Sequence, residues 1–438
     1  MKLILSLAVT AVGIYFAFAG RWFVYRNFPQ AFRVFQNRNE NRKTGISTFS
    51  SLCTNLGATI GTGNILGVAV AIVSGGPGAL FWMIVGSLSG MTTKFYENCL
   101  AVRYQTKDHC GENLGGPFCY MQMGLGRFGN ILALFFATSC LAVGLLGMGT
   151  IIQSNSIALS LEQVFIVPFH HENKLLLKII IAVLITILTA LVILCGGKKI
   201  ADVCSRLVPL MAVAYVFLCV CILSRHYSKI PKILLLVCRE AVGWQAVGGG
   251  FVGAMLSKAA SKGIQMGVFS NEAGLGTGAI SAGSSECTNP IEQGFTGAIS
   301  VFIDTVVLCT LTGLTILVTG AWQAGGDPVD VTTRAWSAGL PMEEMTIKVI
   351  LALFLSVFSF TSILGWNFFA ERSAEFIFQN SRAILVYQAL YLLAVFIGPF
   401  LSSSFVWTMG ETTTWFMLIP NLLSLILLRN RALQITKE

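Results

Sequence analysis

The sequence predicts an all-α polytopic membrane protein. Three observations carry that prediction: an apolar composition with little charge, a succession of apolar stretches each long enough to cross a bilayer, and glycine clusters inside two of them. Of 438 residues, 55% are hydrophobic and 11% charged, against roughly 25% charged in an ordinary soluble domain. With a mean hydropathy of +0.74, such a chain in water would expose large apolar patches. A cytosolic enzyme does not fit. The 44 glycines and 31 phenylalanines suit the membrane class, where glycine permits close helix approach and phenylalanine packs or faces lipid.

Crossing a hydrocarbon core takes about 20 apolar residues, and about eleven stretches of that kind follow one another. They lie near residues 3–20, 46–74, 78–101, 130–152, 175–196, 203–224, 246–280, 293–320, 346–370, 383–401 and 407–428. The first is read as a spanning helix rather than a secretory signal, since no small-residue cleavage site followed by a polar domain comes after it. Arg21, Arg26, Arg33, Arg38, Arg42 and Lys43 crowd the first connection, Arg103 and Lys107 the third, and Lys198 and Lys199 the fifth. Arg429, Arg431 and Lys437 follow the last stretch. All fall on one side, so the positive-inside rule places the C-terminus in the cytoplasm and the N-terminus outside. The segment with Arg225, Lys229, Lys232 and Arg239 is the exception. The net charge of +9 is explained by this loop asymmetry, not by nucleic acid. The 12 cysteines lack CxxC spacing, and those such as Cys140, Cys195, Cys219 and Cys309 inside apolar runs read as free thiols.

Within the second stretch, the segment from Thr54 to Gly67 holds Gly57, Gly61, Gly63 and Gly67. Each weakens a helix by about 1 kcal/mol relative to alanine. Two readings stand: the Gly57/Gly61 and Gly63/Gly67 spacings pack helices, or the segment is unwound at membrane depth. Unwound backbone is tolerated in a bilayer only where protein or an aqueous cavity surrounds it. There it exposes carbonyls to a cation and half-helix amides to an anion. A second cluster, Ser270 to Ile280, lies five spans on and echoes the first: Gly61-Thr62-Gly63-Asn64-Ile65 against Gly276-Thr277-Gly278-Ala279-Ile280. An odd offset reverses orientation, so the halves form an inverted repeat with interrupted helices in matching places, which points to a secondary transporter. Residues 1–438 form one transmembrane domain, with an extra N-terminal helix in 1–44, a first repeat in 45–240 and a second in 241–430. The third glycine is misplaced for a dinucleotide fingerprint.

Ionisable residues inside spans are functional candidates. Asp304, apolar on either side for a turn, is either a site or gating residue or one half of a buried pair. Glu272, beside the second glycine cluster, serves a cap or network, or meets a ligand. Lys258 and Lys262 pair with Glu272 or mark a vestibule, while Lys94 and Glu97 read as a salt-bridged helix end. The adjacent hydroxyls of Thr361 and Ser362 either back-bond to their own helix or give two oxygens to a sodium ion, whose remaining ligands are carbonyls of a broken helix. Gln153 and Asn155 end the fourth span, where their amides meet an amino acid or the interface. His109, His170, His171 and His226 fall in loops, and no paired-carboxylate, GxSxG or HExxH pattern accompanies them. No enzyme activity and no cofactor are expected.

With these residues in view, the chain resembles the alanine or glycine:cation symporter family, sodium-coupled carriers of small neutral amino acids. The resemblance rests on Gly61-Thr62-Gly63-Asn64-Ile65 through Gly75-Gly76-Pro77-Gly78-Ala79-Leu80-Phe81-Trp82-Met83, on Gly115-Gly116-Pro117, on Phe269-Ser270-Asn271-Glu272-Ala273-Gly274-Leu275-Gly276, on Phe302-Ile303-Asp304-Thr305, and on Ile363-Leu364-Gly365-Trp366 with Glu371-Arg372. It implies the LeuT-type fold, an inverted five-helix repeat with one extra N-terminal helix. It also implies a substrate site at the two breaks: Thr62 and Gly63 for the carboxylate, Gln153 as a polar contact, Asn271 beside the second break, Trp366 as a wall and Ile363 limiting side-chain size. By likeness to the wider sodium-coupled superfamily, the carbonyls of Gly57 and Ile60 and the hydroxyls of Thr361 and Ser362 form one sodium site. Thr59, Asn64 and Asp304 form a looser second one, with Glu272 and Asp304 as gating or network residues. One departure bears on substrate preference and gating: after Gly276 the family continues through a small residue and proline toward a histidine, whereas Thr277-Gly278-Ala279-Ile280-Ser281-Ala282 has neither. The implied activity is symport of alanine, including D-alanine, or glycine with sodium in the inner membrane by alternating access. Its partners are then the amino acid, sodium and membrane lipid, with no obligate protein partner evident. A proton-coupled carrier or a substrate-binding sensor on the same fold are the rivals.

Overall fold

A computed structural model describes residues 2–33, 46–165, 174–242 and 258–438. Helix α1 (Lys2–Ala19) is followed by the short α2 (Phe23–Arg26), and α3 (Thr48–Thr59) by a π-helical turn over Gly63–Gly67 and then α4 (Val68–Gly75). Next come α5 (Gly78–Arg103), a small hairpin of β1 (Thr106–Lys107) and β2 (Asn113–Leu114), α6 (Pro117–Gly124), α7 (Gly126–Leu146) and α8 (Ile151–Phe165). The chain continues through α9 (Lys174–Ile193), α10 (Gly197–Arg225), α11 (Ile230–Val242), α12 (Lys258–Asn271) and α13 (Thr277–Gly283). After α14 (Pro290–Val301) a π-helical segment, Phe302–Cys309, leads into α15 (Thr310–Thr319). The remaining helices are α16 (Pro328–Gly339), α17 (Glu344–Phe378), α18 (Ser381–Ile397), α19 (Ser403–Leu427) and α20 (Arg429–Ile435). Starts follow local chemistry. Ser47, Asn289, Asp327 and Asn380 cap α3, α14, α16 and α18 with side-chain oxygens, and Pro290 and Pro328 occupy first helical positions, where a missing N–H costs nothing.

Among the described residues, six helices are long and apolar enough to cross a membrane, or up to eight if each bent pair is one span. The expected count of eleven exceeds this because α1 is short and α5 is polar in its middle. Residues 246–257 of the seventh expected stretch lie outside the described residues, as do Arg38, Arg42, Lys43, His170 and His171. The outer helices α9 and α10 turn leucine, valine and phenylalanine outward, with Leu191 65% and Val213 69% exposed. By contrast every residue of α3 is buried. Apolar outside and polar within is the pattern of a multi-pass membrane protein.

Two sequence expectations change here. Of the basic stretch off the positive side, Arg225 ends α10, Lys229 lies in the following turn, and Lys232 and Arg239 lie on the amphipathic helix α11. That helix buries Val237 and Ala241, and its Ala241 carbonyl accepts the Trp82 indole at 2.9 Å. Charges on an amphipathic helix need not follow the loop rule. Lys94 and Glu97 do not form a salt-bridged helix end. They lie well inside α5, both fully buried, and each is held by a different helix. Of the cysteines placed in apolar runs, Cys140, Cys219 and Cys309 are buried, but Cys195 is exposed at the end of α9.

Candidate functional site

The first break is narrower than the glycine count suggests. Helix continues through Thr59, leaves at Ile60 with ψ 102°, and resumes by Gly63, so α3 and the helix from Gly63 to Gly75 meet at 55°. Upstream, Gly57 serves packing: an added Cβ would meet Cys204 and Val208 at 3.2 Å. Asn64 stabilises the gap, its side-chain oxygen accepting the Gly61 N–H at 3.0 Å.

The second break runs from Glu272 to Gly276. Glu272 has φ 55°, Gly274 86° and Gly276 78°, left-handed values that glycine adopts freely and glutamate rarely. Asn271 caps this turn, its Oδ1 accepting the Ala273 N–H at 3.0 Å and its Nδ2 donating to Thr305 Oγ1 at 3.2 Å. The ammonium of Lys94 donates to the Asn271 carbonyl at 2.8 Å, a cation placed at the negative end of α12. Glu272 accepts from Trp366 Nε1 at 3.1 Å and from Thr277 Oγ1 at 2.7 Å. No ion pair joins Glu272 to Lys258 or Lys262 among the described residues. Both echoing strings, Gly61–Ile65 and Gly276–Ile280, open the second half of a broken helix.

At the first break the hydroxyl of Ser362 donates to the carbonyls of Gly57 at 3.1 Å and Ile60 at 3.3 Å. Thr361 donates to the Phe358 carbonyl at 2.9 Å. The carbonyls of Gly57 and Ile60 and the Ser362 hydroxyl therefore lie together between α3 and α17. Thr361 back-bonds within its own helix, as Thr59 does, although its Cβ stands 3.6 Å from where a Cβ on Gly57 would be.

Asp304, in the π-helical segment, ties the two breaks together. It accepts from Asn64 Nδ2 at 2.8 Å, from Ser270 Oγ at 2.8 Å and from Thr305 Oγ1 at 2.8 Å. Ser270 and Thr305 are additions. Thr59, expected alongside Asn64, instead bonds the Leu56 carbonyl within its own helix at 3.3 Å and makes no side-chain bond to Asn64 or Asp304. A hydroxyl at a helix C-terminus finds its own carbonyl first.

Gln153 lies in the first turn of α8 rather than at the end of a span. Its Nε2 donates to the Met148 carbonyl at 3.0 Å, and a Cβ on Gly61 would lie 3.3 Å from its amide atoms. Its Oε1 and the Thr62 hydroxyl are buried without a protein partner, which leaves two polar atoms beside the break for a ligand. Trp366 packs so closely that a Cβ on Gly149 would sit 2.2 Å from its own Cβ. The neighbouring Ile363 is fully buried, and its carbonyl accepts from Tyr391 at 2.7 Å. Asn155 stands apart. It binds the carbonyls of Gly398 at 3.0 Å and Leu401 at 2.8 Å, a structural clamp between helices.

Away from the breaks, the β1–β2 hairpin links α13 to α17. Asn113 and Gln105 donate to the Ser285 carbonyl at 2.7 and 2.8 Å. Arg372, only 6% exposed, pairs with Asp108 at 3.1 Å and Glu112 at 3.3 Å, and Glu375 with His109 at 2.8 Å.

A model of the sodium:alanine symporter family matches residues 1–438. The chain belongs to that family. It is 36% identical over 439 residues to an uncharacterised transporter of Haemophilus influenzae, covering 99% of this chain and 92% of that one. Against the sodium/alanine symporter AgcS of Methanococcus maripaludis it is 35% identical over 408 residues, covering 92% and 86%. The family's members named here are transporters, not enzymes. In three dimensions the chain is similar to MhsT, solved in complex with L-phenylalanine, with TM-score 0.55 at 15% identity, covering 90% of this chain and 99% of that one. That likeness shows the fold, which is the LeuT-type bundle with broken helices.

Proposed function

We propose that this chain carries a small neutral amino acid, alanine or glycine, across the cytoplasmic membrane together with sodium, by alternating access. The observation that carries the reading is the oxygen cluster of Gly57, Ile60 and Ser362, with Thr361 beside it, where two helices meet at a break. Carbonyls and hydroxyls make a neutral, hard-oxygen environment, which suits a monovalent cation and not a metal needing carboxylates. Beside it, the first turn from Thr62 offers free amides and a free hydroxyl to a carboxylate. Gln153 supplies an acceptor for the ammonium, and Trp366 closes the volume. Asn271, tied into its own turn, acts by fixing the second break rather than by touching substrate.

The geometry supports a mechanism. Sodium between α3 and α17 holds the break in the shape that presents its amides, so cation and amino acid raise each other's affinity equally. Asp304, bonded to residues on both sides, transmits a change at one break to the other, with Asn64 and Ser270 as the contacts. Release to the cytoplasm requires the Arg372–Asp108–Glu112 cluster and the His109–Glu375 pair to part. The N-terminus lies outside and the C-terminus in the cytoplasm, which puts this hairpin on the inner side. Residues 45–240 and 241–430 act as the two inverted halves.

The test is Thr361→Ala combined with Ser362→Ala. Removing both hydroxyls raises the sodium concentration for half-maximal uptake by on the order of tenfold or more, at about 1.4 kcal/mol per tenfold. Unchanged sodium dependence removes the cation site from this place.

A further inference from the structure

The helix that precedes the two repeats ends in an unusual turn. Gly20 leads into Arg21 at φ 52° and Trp22 at φ 60°, two successive non-glycine residues in the left-handed region, which side chains seldom adopt. The turn projects Arg21, and the end of α2 Arg26, toward the other end of the chain. Lys437 arrives there from beyond α20. Together with Asn27, Thr436 and Phe23, these three cations line one cavity of about 640 Å³.

Among the described residues no carboxylate neutralises them. Arg21, Arg26 and Lys437 make no side-chain hydrogen bond or ion pair with described residues, although Glu438 is adjacent. Glu438 is committed to Arg103 at 2.6 Å. Behind the cavity Tyr96 is fully buried on α5, its hydroxyl packed against Gly20 and facing Thr436, which lines the cavity. On the same turn Trp22 meets Phe18 edge-on at 4.9 Å and Tyr25 at a tilt at 5.5 Å, and Tyr25 anchors on the Leu88 carbonyl at 2.6 Å. Amphipathic aromatics of this kind mark the headgroup level of a bilayer.

We propose that this cavity, between the turn after α1 and the C-terminal residues, binds the phosphate of an anionic phospholipid. Three cations that line one cavity, with exposed aromatic side chains on the same turn at the end of an apolar helix, are what such a headgroup requires. Acyl chains then lie along α1, whose outer side exposes Ile4, Tyr15 and Phe18. The bound lipid joins the first and last segments of the chain through their common charge, which they would otherwise repel. A soluble phosphate shares the headgroup's chemistry but lacks the chains that α1 would cover.

The full-length protein, reconstituted in phosphatidylcholine vesicles with or without phosphatidylglycerol and extracted in mild detergent, is weighed intact by native mass spectrometry. The expected result is a retained phosphatidylglycerol, no retained phosphatidylcholine, and no displacement by inorganic phosphate. Retention falls roughly fivefold for each cation removed, so Lys437→Gln alone gives a measurable loss and Arg21→Gln with Arg26→Gln a larger one. Arg21→Lys with Arg26→Lys keeps the lipid. Lys437→Gln alters an exposed residue next to the chain end and leaves the fold untouched, so its result stands even where the double variant folds poorly. Equal retention of phosphatidylglycerol by the wild type and Lys437→Gln overturns the site, and displacement by inorganic phosphate overturns the lipid as its ligand.

Discussion

Asp304 accepts three side-chain hydrogen bonds in a fully buried position, so its replacements separate structure from transport. Asp304→Ala strands three donors, at about 1–3 kcal/mol for each one left unsatisfied, and is expected to lower the midpoint of thermal unfolding sharply. Asp304→Asn keeps the size but loses acceptor capacity and charge. The expected outcome is a folded protein whose sodium and alanine affinities no longer depend on one another, read by titrating each ligand at two fixed concentrations of the other. The Ser362 hydroxyl stands out in the sequence because polar atoms are scarce in apolar runs, and it reaches the Gly57 and Ile60 carbonyls; Thr62 and Gly63 came from the family resemblance instead. Ser270 and the true partner of Lys94 were not legible, because nothing local says which helix will face a given carbonyl. Lys94 reaches Asn271 across 177 positions, and spacing along one helix suggested only Glu97.

Among the elements, the two broken helices are the parts whose shape decides function. The glycines located them, but did not fix their extent. Gly61 is the residue whose hydrogen matters most at the first break, since a Cβ there would lie 2.8 Å from Ser362 Oγ. Gly61→Ala is expected to displace that hydroxyl and cut sodium affinity, while Gly57→Ala, which meets side chains at 3.2 Å, costs stability of about 1–3 kcal/mol by overpacking. Isothermal titration with sodium against thermal unfolding distinguishes the two effects. A comparable close contact stands at Gly149 beside Trp366, where Gly149→Ala is expected to push the indole into the substrate volume and raise the alanine KM with less effect on sodium. The first break is narrow because the main-chain ladder runs to its edge, the Ile60 N–H still donating to the Leu56 carbonyl at 2.7 Å.

For the whole molecule, the fold follows from composition and order of spans, whereas the hairpin between α5 and α6 did not announce its role. Its Asp108 and Glu112 close on Arg372 some 260 positions away, an ion pair with no signature in either local sequence. Arg372→Ala leaves Asp108, itself 2% exposed, without its partner, a loss of about 3–5 kcal/mol for the closed arrangement. The expected consequence is a carrier biased open to the cytoplasm, seen as faster alkylation of a cysteine placed at the buried Ser281 on α13 and a loss of gradient-driven accumulation. Unchanged alkylation would place the inner barrier elsewhere.

The central claim is sodium-coupled amino acid transport, and it is tested most directly by uptake of radiolabelled alanine into proteoliposomes at fixed pH and membrane potential. An inward sodium gradient is compared with an equal potassium gradient. Accumulation with sodium alone, reduced by unlabelled glycine, is the predicted result; equal accumulation with potassium, or uptake that follows a proton gradient instead, contradicts it.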